Sequence, residues 1–214
     1  MPFFLKYQSN LLKKYLIFKF MDSCKYLPSF SIEMIEDLIK EIKVNVKVVN
    51  SRKTKLGDFR VINNQFYITI NNDLNQYSFL ITLVHELAHA YTFLKYNSTV
   101  LPHGIQWKNK FKTLISPFLH AKIFPNEIMS VLNQHMENPK ASSCTDISLM
   151  KVLSKYDNVQ NIFIEDIELG KAFVFREKRV FIKIEKLRKR YKCKEIKTNK
   201  MYLFSPLAKV SLYK

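Results

Sequence analysis

His85, Glu86 and His89 stand in the order His-Glu-x-x-His, inside the run Val84-His85-Glu86-Leu87-Ala88-His89-Ala90. In a helix, residues four apart share a face one turn above each other, so two imidazoles at that spacing can reach one metal ion at about 2.0–2.1 Å. Glu86 projects roughly 100° around the helix from His85. Its carboxylate therefore stands beside the metal rather than on it, placed to hold a water and take its proton. That is the chemistry of metal-assisted hydrolysis. With 5 His and 11 Glu in 214 residues, such a match arises by chance roughly 0.6% of the time. The competing reading is a hydrogen-bonded pair of core histidines beside a salt-bridged glutamate.

The surroundings favour the metal. From Phe79 to Leu94 the chain is apolar nearly all round, and Thr82, His85, Glu86, His89 and Thr92 form a narrow polar stripe. A helix of that composition belongs in a core. Burying two imidazoles and a carboxylate there is costly unless something satisfies them, which a divalent ion does. A catalytic zinc takes three protein ligands. The metzincin layout requires glycine at position 92 and histidine at position 95, where this chain has Thr92 and Lys95. No carboxylate follows closely, because the next acidic residue is Glu127. His103, His120 and His135 remain. His103 begins a helix after a loop long enough to return to the metal, and Gly104 permits close backbone approach. His120 and His135 read as structural or surface residues. The expected ligands are His85, His89 and His103, with Glu86 as the general base.

The elements that must position these residues are legible from pattern. Ser31 to Ile42 reads as an amphipathic helix with Ser31 as N-cap. Val44 to Val49 and Asp58 to Ile70 read as strands, with Asn63-Asn64 turning one into the next. The long helix is expected over Phe79 to Tyr96 with Ser78 as its N-cap. Ile105 to Leu114 is helical up to a break at Pro117, and Asn126 to Met136 forms another helix. Asn138 to Ser143 is the best linker, giving domains of 1–140 and 141–214. Beyond it come a helix (Ile147 to Tyr156) and strand-like runs at Ile162 to Ile164, Ala172 to Phe175, Val180 to Ile184 and Met201 to Phe204.

Charge divides the chain. The total is 35 basic against 18 acidic residues, a formal net charge of +17. Residues 61–150 carry 6 basic and 5 acidic side chains, whereas residues 151–214 carry 17 and 7. Such a segment fits a polyanion, most plausibly nucleic acid. Lys outnumbers Arg 29 to 6, which also fits a proteome-wide bias. The residues expected to meet phosphates are Lys186, Arg188, Lys189, Arg190, Lys192 and Lys194, with Tyr191 stacking on a base or packing inward. The longest uncharged runs, such as Leu74 to His85, have 12 residues, short of the roughly 18 a membrane span needs. Lys6, Lys13, Lys14 and Lys19 interrupt the apolar N-terminal stretch, so it lacks a secretory h-region. Cys24, Cys144 and Cys193 form neither a disulfide framework nor a C-x-x-C pair. The expectation is a reduced, cytoplasmic protein, nucleoid-associated if bacterial.

The run Ser51 to Arg60, then Thr69-Ile70-Asn71, the helical His-Glu-x-x-His, and Pro102-His103-Gly104-Ile105-Gln106-Trp107 together resemble the SprT-like (Spartan-type) zinc metalloproteases. The resemblance covers roughly residues 30–120. It implies an α+β, zincin-type domain built from a small antiparallel sheet and the His-Glu-x-x-His helix. It implies His85, His89 and His103 as ligands of one zinc and Glu86 as base. From eukaryotic members it implies DNA-dependent cleavage of proteins bound or crosslinked to DNA. Many bacterial members end in a four-cysteine zinc ribbon. Here Arg190 to Lys194 and Met201 to Ala208 are similar to a ribbon's last half without its cysteine pairs, so a second, structural zinc is not expected.

Three function classes follow: a zinc endopeptidase recruited by DNA, a basic nucleic-acid-binding module with a structural or inactive zinc site, and a zinc hydrolase acting on a small amide.

Overall fold

The computed structural model describes residues 22–121, 123–139, 146–158, 162–176 and 178–213. The N-terminal lysines named above, residues 140–143 of the linker and Cys144 lie outside them. The chain divides into two compact units, Met1–Thr145 and Asp146–Lys214.

In the first unit, α1 (Ile32–Ile42) buries Ile35, Ile39 and Ile42 and ends at Lys43, whose φ of 54° stops the helix. Strands β1 (Val44–Val49), β2 (Gly57–Ile62) and β3 (Gln65–Asn71) make one sheet in the order β1-β3-β2. Asn63 and Asn64 turn β2 into β3 with φ of 48° and 59°, left-handed backbone that asparagine tolerates and a tight hairpin requires. The sheet is mixed rather than antiparallel, which corrects the sequence expectation: β2 pairs β3 antiparallel, but β1 pairs β3 parallel. The reason is that β3 carries fully buried Ile68 and Ile70 and takes the centre of the sheet, leaving β2 at the edge.

The long helix α2 (Gln76–Tyr96) starts before the predicted Ser78 cap. Asn75 is the N-cap, and its side chain accepts the Ser78 N–H at 3.0 Å. Thr82, His85 and Glu86 are buried on α2, as the apolar pattern requires. Helix α3 (Ile105–His120) runs through Pro117 rather than stopping there. Proline removes one backbone bond, but Ile115 and Phe118 are buried on either side of it, and the Ala121 N–H still reaches the Pro117 carbonyl at 3.0 Å. Helix α4 (Asn126–Glu137) buries Ile128, Leu132, His135 and Met136.

The second unit has α5 (Ile147–Ser154) and a six-stranded sheet in the order β4-β9-β5-β6-β7-β8, antiparallel at every pairing. Its strands are β4 (Ile162–Phe163), β5 (Ala172–Phe175), β6 (Arg179–Lys186), β7 (Tyr191–Glu195), β8 (Met201–Phe204) and β9 (Lys209–Leu212). Its core is aromatic: Phe173, Phe181, Tyr191 and Phe204 pack with Ile164, Cys193 and Val210. No helix among the described residues is long and apolar enough to cross a membrane.

Candidate metal centre

Three imidazoles converge. His85 and His89 project from one face of α2, and His103 comes from the turn that leads into α3. His89 Nε2 lies 2.9 Å from His103 Nε2, and His103 Nε2 lies 3.3 Å from His85 Nε2. These three are the group of potential ligands that the described residues place together. A tetrahedral ion bonded at 2.0–2.1 Å separates its ligand nitrogens by about 3.3 Å, so the observed spacing matches the edge of a zinc coordination shell. Three imidazoles are a zinc donor set that leaves a fourth position for water or substrate.

The imidazoles are also in the state that binds metal. His85 is pushed down to about 2, first by burial and then by His89, His103 and His135. Burial, followed by His103, takes His89 to about 4. Burial likewise lowers His103. All three are neutral near pH 7, as a metal ligand must be. Trp107, fully buried one turn into α3, backs them: its ring centroid is 4.6, 4.7 and 5.2 Å from those of His85, His103 and His89. Phe111 stacks behind Trp107 at 5.1 Å. The indole Nε1–H has no partner among the described residues. A buried donor in that condition costs about 1–3 kcal/mol.

His103 has a φ of 59°, and the Gly104 N–H closes the turn on the Leu101 carbonyl at 2.9 Å. Gly104 itself has an ordinary φ of −69° and serves as the N-cap of α3. The left-handed residue is thus the ligand rather than the glycine beside it. What the glycine provides is room, since a Cβ there would meet the Leu101 carbonyl oxygen at 3.0 Å.

Glu86 lies beside the imidazoles, buried under the start of β2. It accepts a hydrogen bond from the Phe59 backbone N–H, and burial, reinforced by Asp58, pushes its carboxyl up to about 8 against the pull of Phe59, Arg52 and Lys55. A Cβ on Gly57 would meet Glu86 Oε1 at 2.7 Å, Glu86 Cγ at 2.8 Å and Thr82 Cγ2 at 2.8 Å. Only glycine lets the strand come that close. The loop that leads into β2 is in turn clamped to β3. Arg52 donates to Asn71 Oδ1 and Thr69 Oγ1, both at 2.9 Å, while Asn71 Nδ2 donates to the carbonyls of Arg52 and Lys55 at 3.1 and 3.0 Å. The Asn71 N–H reaches the Leu56 carbonyl at 2.9 Å. Sequence reasoning assigned no site role to Gly57, Arg52, Asn71 or Trp107. The available signals were their place in the runs that carry the family resemblance, and composition, since Gly57 is one of three glycines and Trp107 the single tryptophan.

The other two histidines are not among the converging ligands, although His135 is near enough to His85 to lower it. His135 is buried on α4, and His120 closes α3. In the second unit, Arg188, Lys189 and Arg190 sit exposed on the turn between β6 and β7, closed by the Leu187 N–H to the Arg190 carbonyl at 2.7 Å. Lys186 approaches Glu165 at 3.6 Å and Lys192 pairs with Glu185 at 2.9 Å. Lys192 and Lys194 alternate with buried Tyr191 and Cys193, so they leave the sheet on its other face. Tyr191 packs inward, and its ring carries the buried Lys183 ammonium at 3.9 Å. Base stacking on Tyr191 is therefore excluded.

Comparison with curated proteins gave no match, and neither did comparison with solved structures. A family model did match, over the segment that holds α1, the three-stranded sheet, α2 and α3. That match is to the SprT-like family and spans residues 29–124.

Proposed function

We propose that this chain is a zinc-dependent endopeptidase acting on proteins bound or crosslinked to DNA. The observation that carries the reading is the convergence of three neutral imidazole Nε2 atoms beside a buried glutamate that β2 fixes in place. The SprT-like family is associated with metalloprotease-like domains, which agrees with that chemistry. His85, His89 and His103 would hold the ion. When bound, zinc supplies Lewis acidity toward a scissile carbonyl and lowers the pKa of water to about 7. Glu86, whose carboxyl burial pushes up and a neighbouring cation would ionise, would take the proton of the attacking water and deliver it to the departing amine nitrogen. The Phe59 N–H and the close approach of Gly57 hold that carboxylate in one orientation. Trp107 and Phe111 exclude water behind the ligands.

The basic second unit supplies recruitment. Lys186, Arg188, Lys189, Arg190, Lys192 and Lys194 neutralise phosphates, so affinity for single-stranded DNA falls steeply with salt. Each residue that contacts a phosphate lowers the slope of log affinity against log salt by about 0.7 when removed. A flat salt response refutes this part of the reading.

The decisive experiment compares zinc-loaded wild type with Glu86→Gln on a basic DNA-binding protein, with and without single-stranded DNA. Cleavage by wild type alone, and only with DNA, supports the full reading. Cleavage that ignores DNA keeps the peptidase and removes the recruitment. Retained zinc and DNA binding with no cleavage by either protein points to the alternative, a nucleic-acid-binding module with an inactive zinc site. The buried, backbone-held Glu86 argues against that alternative, because a structural zinc site has no use for such a carboxylate.

A further inference from the structure

A cleft of about 260 Å³ opens beside the imidazoles, between β2, the last turns of α2 and the loop that follows. Its walls are Phe59, Phe93, Val100, Leu101 and Pro102, with the uncharged polar Thr92, Asn97 and Ser98 among them, and it ends on Trp107 and His89. We propose that this cleft is a side-chain pocket that takes one bulky apolar residue, Leu, Met or Phe, next to the bond being cut. The proposal rests on the peptidase reading and names the part of the substrate that reading leaves open.

Several observations converge on it. No charged residue lines the cleft, so it selects against a charged side chain. Its volume is below the roughly 300 Å³ at which drug-sized ligands begin, and suits a single side chain. His89 and Trp107 belong to both the cleft and the metal centre, so a group in the cleft lies next to any carbonyl presented to the ion. A second cleft, of about 240 Å³ between α2 and α3, lacks these properties: Lys95, Lys110, Gln106 and Asn109 line it, and no metal ligand does.

The wall is preformed. Phe59, Phe66 and Phe93 pack as a triangle with ring centroids 5.5, 5.9 and 6.1 Å apart. Phe59 also sits on β2, the free edge of its sheet. An extended peptide added along that edge sends every second side chain to the same face, and Phe59 marks the cleft side of β2. Five large apolar side chains are exposed among the described residues of the first unit: Phe30, Ile62, Leu94, Leu101 and Ile105. One of them, Leu101, lines this cleft and is 78% exposed.

Trp107, the single tryptophan, reports on occupancy directly. The zinc-loaded full chain is titrated with two peptidyl hydroxamates that differ only in a Leu or an Asp side chain beside the metal-binding group, and Trp107 emission is followed. The Leu compound is expected to bind at least 10-fold tighter. Ser98→Phe, at an exposed lining position, fills the cleft and brings the Leu compound to the affinity of the Asp one. Leu101→Asp does the same by charge, should the first variant fail to fold. Equal affinities of the two compounds for wild type overturn the pocket. So does cleavage of a degenerate peptide library with no side-chain preference, and that result leaves the peptidase reading standing. Discrimination between the hydroxamates without cleavage of any peptide keeps the pocket and overturns the peptidase. Failure of both compounds to bind zinc-loaded protein overturns both.

Discussion

Each unit buries charge or strong polarity, and the two units treat it in opposite ways. In the second unit Lys183 is 3% exposed, yet its ammonium donates to the carbonyls of Ile164, Glu165 and Ile167 and lies on the Tyr191 ring. Glu195, equally buried, is taken by Arg179 at 2.7 Å and by the Thr198 hydroxyl. The demands of these two side chains are met from within the chain, in a core rich in aromatic rings, and Glu165 Oε2 is the buried side-chain oxygen left without a partner among the described residues of that unit. In the first unit the three Nε2 atoms face one another, and burial holds the rings neutral. Acceptors that point together satisfy nothing until a cation stands between them. Buried polarity that closes on itself stabilises a fold, and buried polarity that converges on a point awaits a ligand.

The sharpest test of that contrast is Glu86→Gln. The amide keeps the side chain's shape and loses its basicity, so kcat/KM for protein cleavage is expected to fall by about 10²–10⁴ with one zinc per chain retained. Zinc content is read by metal analysis and cleavage by gel assay. Loss of the zinc instead would make Glu86 part of the scaffold and erase the distinction drawn between the units.

On the other side stands Lys183. Lys183→Met keeps most of the apolar stem and removes the donors, leaving buried carbonyls unsatisfied. The second unit is expected to lose about 3 kcal/mol, read by hydrogen exchange at β6 and β7 in the full chain. The zinc content of the first unit should not change. Next comes Gly57→Ala, whose methyl group displaces the Glu86 carboxylate. It is expected to lower kcat by about 10-fold or more with KM and zinc content little changed, the signature of a positioning defect.

The smallest effect is acid sensitivity at Glu195. Arg179 first, and Thr198 after it, hold its carboxyl down to about 2 against an ordinary 4.5. The folded state therefore binds this proton less readily than the unfolded one. The stabilisation is complete above about pH 4.5 and fades as the pH falls toward 2. Amide protection at Cys193 to Glu195 should drop across that window in wild type and stay flat in Glu195→Gln. Wild-type protection that is flat as well would mean Arg179 contributes little.

Much of this was legible in the sequence because it is local. The helical His-Glu-x-x-His follows from a spacing of four, the β2–β3 turn from Asn63-Asn64, and α1 from its period. Each depends on neighbours a few residues away. The errors came where a distant partner decided. Pro117 looks like a stop until buried Ile115 and Phe118 hold the helix through it. The sheet looks antiparallel until the apolar β3 claims its centre and makes β1 its parallel neighbour. Strands β7 and β9 were missed, because the lysines that alternate with Tyr191 and Cys193 hide the first and the second is four residues long.

By itself, then, the sequence determined the chemistry on one helix and the charge asymmetry between the two halves, since residue type and spacing along a single element suffice for both. Only the tertiary structure decided that His103 closes on His85 and His89, that Gly57 and the Arg52–Asn71 clamp press β2 against Glu86, and that Trp107 both backs the ligands and ends a cleft. Those facts join residues from separate elements. The packing of side chains in three dimensions, which no local period encodes, is what brings them together.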